Sequence, residues 1–204
     1  MALNTIVKVG SISNLSDARY CAGMGAQYLG FNLDSDQPEY VDPPTFKSIK
    51  DWVVGPKIVG EISSFDLNTL EQILEQYEID SLEITQPEAL DRLYSRGLPI
   101  ILKLDIAVYQ DVGKLHEIMT KTKPKVSYFI LERSAESVIQ EKDVVSLASH
   151  FKIMTGFSVD KDNLSSWLDG TDIYGISIKG GVETKPGFKD YEAIAEILEA
   201  LEID

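Results

Sequence analysis

The chain is short of several things, and each shortage removes a class of function. Among 204 residues there is one cysteine, Cys21, so no internal disulfide and no cysteine-based zinc cluster is available. Basic residues are scarce: 19 Lys and Arg stand against 33 Asp and Glu, a formal net charge of -14. Nucleic-acid phosphates and anionic lipid surfaces both call for basic protein surface, so neither partner is expected. A small anionic ligand remains compatible, because backbone N–H groups at helix starts bind phosphate locally. No apolar run approaches the roughly 18 residues of a membrane span. The opening MALNTIVKVG has no basic segment followed by a long apolar stretch, so no secretory signal is expected and a cytoplasmic location is. Low-complexity segments and long linkers are missing too.

What is present is alternation. Hydrophobic residues make up 44% of the chain, enough for a sizeable core. Eight short apolar runs read as strands: Thr5–Val9, Tyr28–Leu33, Lys57–Ile62, Ser81–Ile84, Ile100–Leu104, Val126–Leu131, Phe151–Met154 and Tyr174–Ile178. Each is followed by a segment with apolar residues at helical spacing. The helices are expected from Asn14 or Ser16 to Met24, from Pro43 or Pro44 to Trp52, and over Leu67–Tyr77, Pro87–Ser95, Val112–Met119, Ala135–Ser149, Asn163–Leu168 and Tyr191–Leu201. Asn14 or Ser16 suits the first helix start, and Gly25 its end. Strand–helix alternation implies a parallel sheet. Eight units imply a closed (β/α)8 barrel of the TIM type in one domain over 1–204, rather than an open sheet of five or six strands. Such barrels carry their chemistry at the strand C-termini.

Several motifs stand out, the first and the last of them at such ends. They are Lys8 through Asn14, Asp17-Ala18, Gly23, Gly25-Ala26 and Leu29-Gly30-Phe31, then Pro38, Tyr40-Val41 and Pro43. The closing segment adds Gly175-Ile176, Gly181-Val182-Glu183, Pro186-Gly187 and Lys189-Asp190. Taken together they resemble the phosphoribosylanthranilate isomerase family, the barrel enzymes of the tryptophan pathway. The resemblance implies an Amadori rearrangement of a phosphoribosyl amine. A general acid opens the ribose ring by protonating its ring oxygen, and a general base removes the proton at C2. It implies no metal and no cofactor, and a small phosphorylated metabolite as ligand. A protein partner is left open.

The departures from the family pattern lie at functional positions. The family's catalytic cysteine, two residues after the first-strand lysine, is Gly10 here. The aspartate at the end of strand six is Glu132, which keeps a carboxyl group as candidate acid. The arginine that pairs with the substrate carboxylate is Glu39, which would repel it or point to solvent. The histidine-glycine after strand four is replaced by about Thr85-Gln86. The glycine-rich loop after strand six is missing, with Arg133 leading quickly into helix six. Cys21 reads as a buried structural thiol. Phosphate binding is expected from Gly156, Lys179, Gly180 and Gly181, with turn-shaping as the alternative role of the glycines.

Acidic residues also recur near successive strand ends: Asp34, Glu61, Glu83, Asp105 and Glu132, with Lys8 and Lys103 as the nearby bases. Crowded carboxylates can act as acids or bases, or hold a hard cation such as Mg²⁺. They can also simply pair with the two lysines. Asp34 and Asp105 are candidates for a replacement base. His116 and His150 are expected on helices, exposed and away from the mouth. Three readings stay open: the family isomerase with a new base, a non-catalytic homologue that binds a phosphorylated metabolite, and an enzyme of changed phosphosugar specificity.

Overall fold

The computed structural model describes residues 2–63, 67–180, 183–185, 188, 189 and 192–203. Eight parallel strands close into a barrel in chain order: β1 (Ile6–Gly10), β2 (Tyr28–Asn32), β3 (Lys57–Ile62), β4 (Ser81–Ile84), β5 (Ile100–Asp105), β6 (Tyr128–Glu132), β7 (Ile153–Thr155) and β8 (Gly175–Lys179). Closure is made by β1 against β8, from Ile6↔Gly175 to Gly10↔Lys179. The helices are α1 (Leu15–Gly23), α2 (Pro43–Lys50), α3 (Leu67–Gln76), α4 (Leu90–Leu93), α5 (Val112–Thr122), α6 (Glu141–Ala148), α7 (Leu164–Leu168) and α8 (Glu192–Ala200). Among the described residues no helix is long and apolar enough to cross a membrane.

Side chains alternate across each strand, so every second residue enters the barrel. Outward residues such as Val7, Val9, Leu29, Phe31, Leu82, Leu102 and Phe129 belong to one large core shared with the helices. Inward residues form a separate apolar floor of Val59, Ile101, Tyr128, Ile130 and Met154, with Ile6, Tyr28 and Tyr174 against it. Two residues further along the same strands, the inward positions become Lys8, Glu61, Lys103 and Glu132. The barrel is therefore apolar below and charged above.

Local chemistry sets the helix starts. The Asn14 side chain accepts from Asp17 N at 3.0 Å, as its position suggests. Asp42 caps α2 ahead of Pro43, and Asp111 caps α5. Gly25 has φ 90° just beyond α1, a conformation that favours glycine.

Four elements differ from the sequence expectation. Helix six begins at Glu141, not Ala135. Gln140 and Asp143 form a reciprocal capping box that starts it there, so 133–140 is a loop. That loop is tied to the end of β5: Ser134 bonds to Asp105, and Ser137 Oγ donates to Ile106 O at 3.0 Å. The segment after β4 is a four-residue α4 flanked by 3₁₀ turns at Pro87–Ala89 and Tyr94–Arg96, ended by Gly97 at φ 74°. Helix five runs three residues further than expected, to Thr122. A small antiparallel pair, β9 (Glu183–Lys185) with β10 (Phe188–Lys189), follows β8. Gly181, Val182, Pro186, Gly187, Asp190 and Tyr191 lie outside the described residues.

Candidate active site

The charged layer at the mouth is a chain of contacts that crosses the barrel. Lys8 of β1 is 2% exposed. Its ammonium bonds to Glu61 of β3 and lies 2.7 Å from Glu83 of β4. Lys103 of β5 lies 2.6 Å from the other oxygen of Glu83 and 3.9 Å from Glu132 of β6. Each oxygen of Glu83 is thus held by one ammonium, at the distance of a charge-assisted contact. Five side chains from five strands thus alternate in sign.

The titration behaviour follows from that order. Burial opposes ionisation of Glu83, but Lys8 and Lys103 outweigh it and lower its pKa to about 2. Burial also opposes the charge on Lys8, yet Glu61 and Glu83 raise its pKa above the usual lysine value. Lys103 is raised in the same way, against burial, by Glu83, Glu132 and Glu61. The lysines remain charged because the acids face them. This is the pairing alternative for the acidic run, and it makes a cation site unnecessary to explain it. Among the described residues no three His, Cys, Asp or Glu side chains cluster as metal ligands.

Asp34 and Asp105 are placed differently. Asp34, at the end of β2, is buried, and its Oδ2 accepts from Ser63 N at 2.6 Å and Ser63 Oγ at 2.7 Å. Asp105 accepts from Ala107 N at 2.9 Å, Ser134 N at 3.2 Å and the Ser134 hydroxyl. Burial would raise its pKa, but these bonds outweigh that and keep it below the usual value. Both carboxylates anchor loops. Glu39 is exposed on the loop between β2 and α2. His116 and His150 are exposed as expected, packed edge-on to each other with centroids 6.2 Å apart.

Beside the charged chain lies a cavity of about 450 Å³ at the ends of β6, β7 and β8. Glu132, Arg133, Gly156, Ser158, Ser177 and Lys179 are in its wall. Gly156 is required there: a Cβ would come within 2.9 Å of Glu132 Cγ. However, the Gly156 N–H donates to Leu131 O at 2.8 Å, and the Gly180 N–H donates to Gly10 O at 2.7 Å. These two amides serve strand pairing and closure. A Cβ at Gly180 would sit 2.9 Å from Gly10 O, so this glycine permits close approach of β8 to β1. Gly181 lies outside the described residues.

Arg133 is the cavity residue that sequence reasoning missed. Its Nη2 donates to Ser158 Oγ at 2.6 Å, and its guanidinium stacks 4.8 Å from the Phe157 ring centroid. Ser158 has φ 50°, and its carbonyl accepts from Trp167 Nε1 at 3.1 Å, so the loop that holds Arg133 is itself held. The residue directly follows Glu132, which is the only signal the sequence carried. Arg133 and Lys179 put two cations on a cavity whose acid is Glu132.

The comparisons with known proteins agree with this architecture. The family described as N-(5'phosphoribosyl)anthranilate (PRA) isomerase matches residues 7–200. An N-(5'-phosphoribosyl)anthranilate isomerase of Leptospira interrogans is 23% identical over 201 residues, covering 95% of this chain and 93% of its own. The crystal structure of phosphoribosyl anthranilate isomerase from Thermotoga maritima superimposes with a TM-score of 0.78 at 16% identity, covering 97% of this chain and 98% of its own. A structure of the isomerase in complex with reduced 1-(O-carboxyphenylamino)-1-deoxyribulose 5-phosphate gives a TM-score of 0.77 at 17% identity, with the same coverage. With a match spanning nearly its whole length and the same closed barrel, the chain belongs to the N-(5'-phosphoribosyl)anthranilate isomerase family.

Proposed function

We propose that this protein isomerises a phosphoribosyl amine to the corresponding aminodeoxyketose, the tryptophan-pathway step of its family, within a single cytoplasmic barrel domain. The observation that carries the reading is the cavity at the ends of β6 to β8, whose wall one half-buried carboxyl, Glu132, shares with Arg133 and Lys179. An anionic phosphate is attracted to the two cations, and the guanidinium offers directed donors. The ribose ring oxygen then lies within reach of Glu132, which acts as the general acid. The structural relative whose complex holds a carboxyphenylamino-deoxyribulose phosphate supports a ligand of this chemical class.

The test is direct. Purified protein is mixed with freshly generated phosphoribosylanthranilate, and loss of substrate fluorescence is followed. Turnover, with restored growth of a tryptophan auxotroph that lacks the isomerase, is expected. A folded protein that shows neither would sink the reading.

One observation favours a second reading, an enzyme of changed specificity. Glu39 puts an exposed carboxylate on the loop where the resemblance implies an arginine for the anthranilate carboxylate. Like charge there discriminates against that group. A higher kcat/KM for a phosphoribosyl amine without the ring carboxylate would select this reading over the first.

A further inference from the structure

The inward face of β1 is bare at its last residue, and so is that of β2 at its middle. Gly10 and Gly30 are adjacent in the barrel wall, and together they open a notch. The Glu61 side chain fills that notch from β3. A Cβ placed on Gly10 would lie 2.6 Å from Glu61 Oε1 and 3.1 Å from Lys8 Nζ. A Cβ on Gly30 would lie 2.6 Å from Glu61 Cδ and 3.0 Å from Lys8 Nζ. The carboxylate therefore occupies the volume that a side chain at position 10 would need.

It is also oriented there. Ser11 adopts φ 54°, a conformation rare for serine, and its N–H donates to Glu61 Oε2 at 3.0 Å. Lys8 holds the other oxygen. The groups facing Glu61 are Lys8 from β1, Glu83 from β4 and, across the mouth, Lys103 from β5. Glu61 is the more open of the two central acids: its side chain is 11% exposed and that of Glu83 is 2%. A carboxylate that is fixed by a backbone amide, paired with a cation and open at one edge is placed to take a proton.

We infer that Glu61 is the general base of this site, a β3 carboxylate acting in the place that Gly10 leaves empty on β1. The inference rests on the isomerase reading. Glu132, as the acid, gives its proton to the ring oxygen while the C1–O bond breaks and the nitrogen lone pair forms C1=N. Glu61 then takes the proton from C2, and the C–H pair forms C1=C2 while the C=N pair returns to nitrogen. Glu61 gives that proton to C1 as the C2 hydroxyl passes its own to Glu132. The product is the ketone, and both carboxyl groups regain their starting states.

The experiment compares wild type, Glu61→Gln, Glu61→Asp, Glu61→Ala and the double variant Gly10→Cys/Glu61→Ala, with phosphoribosylanthranilate as substrate and thermal melts as the folding control. Glu61→Gln should lower kcat by about 10²–10⁴-fold with KM nearly unchanged. It should also remove the fall of kcat/KM toward low pH, because no base remains to be protonated. Glu61→Asp should retain part of the activity. Removing the glutamate clears the space beside position 10, so the double variant should exceed Glu61→Ala by about tenfold or more, with a thiol supplying part of a base's 10²–10⁴-fold effect. An active wild type whose Glu61→Gln variant keeps kcat and the acid limb overturns this assignment alone. So does a double variant no better than Glu61→Ala while both melt as folded proteins. A folded wild type inert toward phosphoribosylanthranilate overturns the isomerase reading, and this assignment with it.

Discussion

The two halves of the barrel mouth are built on opposite plans. From β1 to β5 the inward charges are paired and nearly dry: Lys8 and Glu83 are 2% and 1% exposed and touch across the strands. From β6 to β8 the charges line an open cavity, where Arg133 and Lys179 form no ion pair among the described residues and Glu132 lies 3.9 Å from Lys103. The first half neutralises itself. The second leaves positive charge available to an anion. A buried ion pair adds little net stability because desolvation offsets attraction, but breaking one is costly. The paired half is thus rigid by penalty, and the open half can spend its charge on a ligand.

The largest expected effect is on the acid of the open half. Glu132→Gln should reduce kcat by about 10²–10⁴-fold and leave the denaturant midpoint nearly where it was. A comparable loss of stability would show that Glu132 belongs to the paired half after all.

Glu83→Gln should do the reverse. It strips the buried Lys8 ammonium and the half-buried Lys103 ammonium of their shared partner, so unfolding free energy should fall by about 3–5 kcal/mol, read from urea denaturation. The pH dependence has a definite sign. With its pKa lowered from 4.5 to about 2, Glu83 contributes stability that is full above about pH 4.5 and is lost as pH falls toward 2. Lys8 and Lys103, both raised, contribute stability that is full below 10.5 and is lost as pH climbs through their folded values. Glu83→Gln should flatten the acid slope; an unchanged slope would contradict the pairing.

The smallest effect falls on binding. Arg133→Met and Lys179→Met should each raise KM by about tenfold, the loss of one charge-assisted bond, without shifting the melting temperature. Unchanged KM in both variants would move the phosphate elsewhere.

Much of the frame was legible in the sequence. Eight apolar runs, the Asn14 cap and the Gly25 terminator are local signals, and the strands and helices stand close to where those signals put them. The acids near strand ends were visible too, but not their partners. Lys8 and Glu83 are 75 positions apart, and nothing along the chain says that they touch. The start of α6 is set by the Gln140–Asp143 capping box, which outweighs a run from Ala135 that looks helical. Arg133 carries no local signal of its own, since its value lies in the β7 loop that it reaches.

By itself the sequence determined the alternation of strand and helix, hence the barrel, and the family to which the chain belongs, because periodicity and short motifs are properties of neighbouring residues. Only the tertiary structure decided which charges cancel and which stay open. Barrel closure brings side chains from five strands into one layer, and there a glycine on β1 makes room for a glutamate from β3.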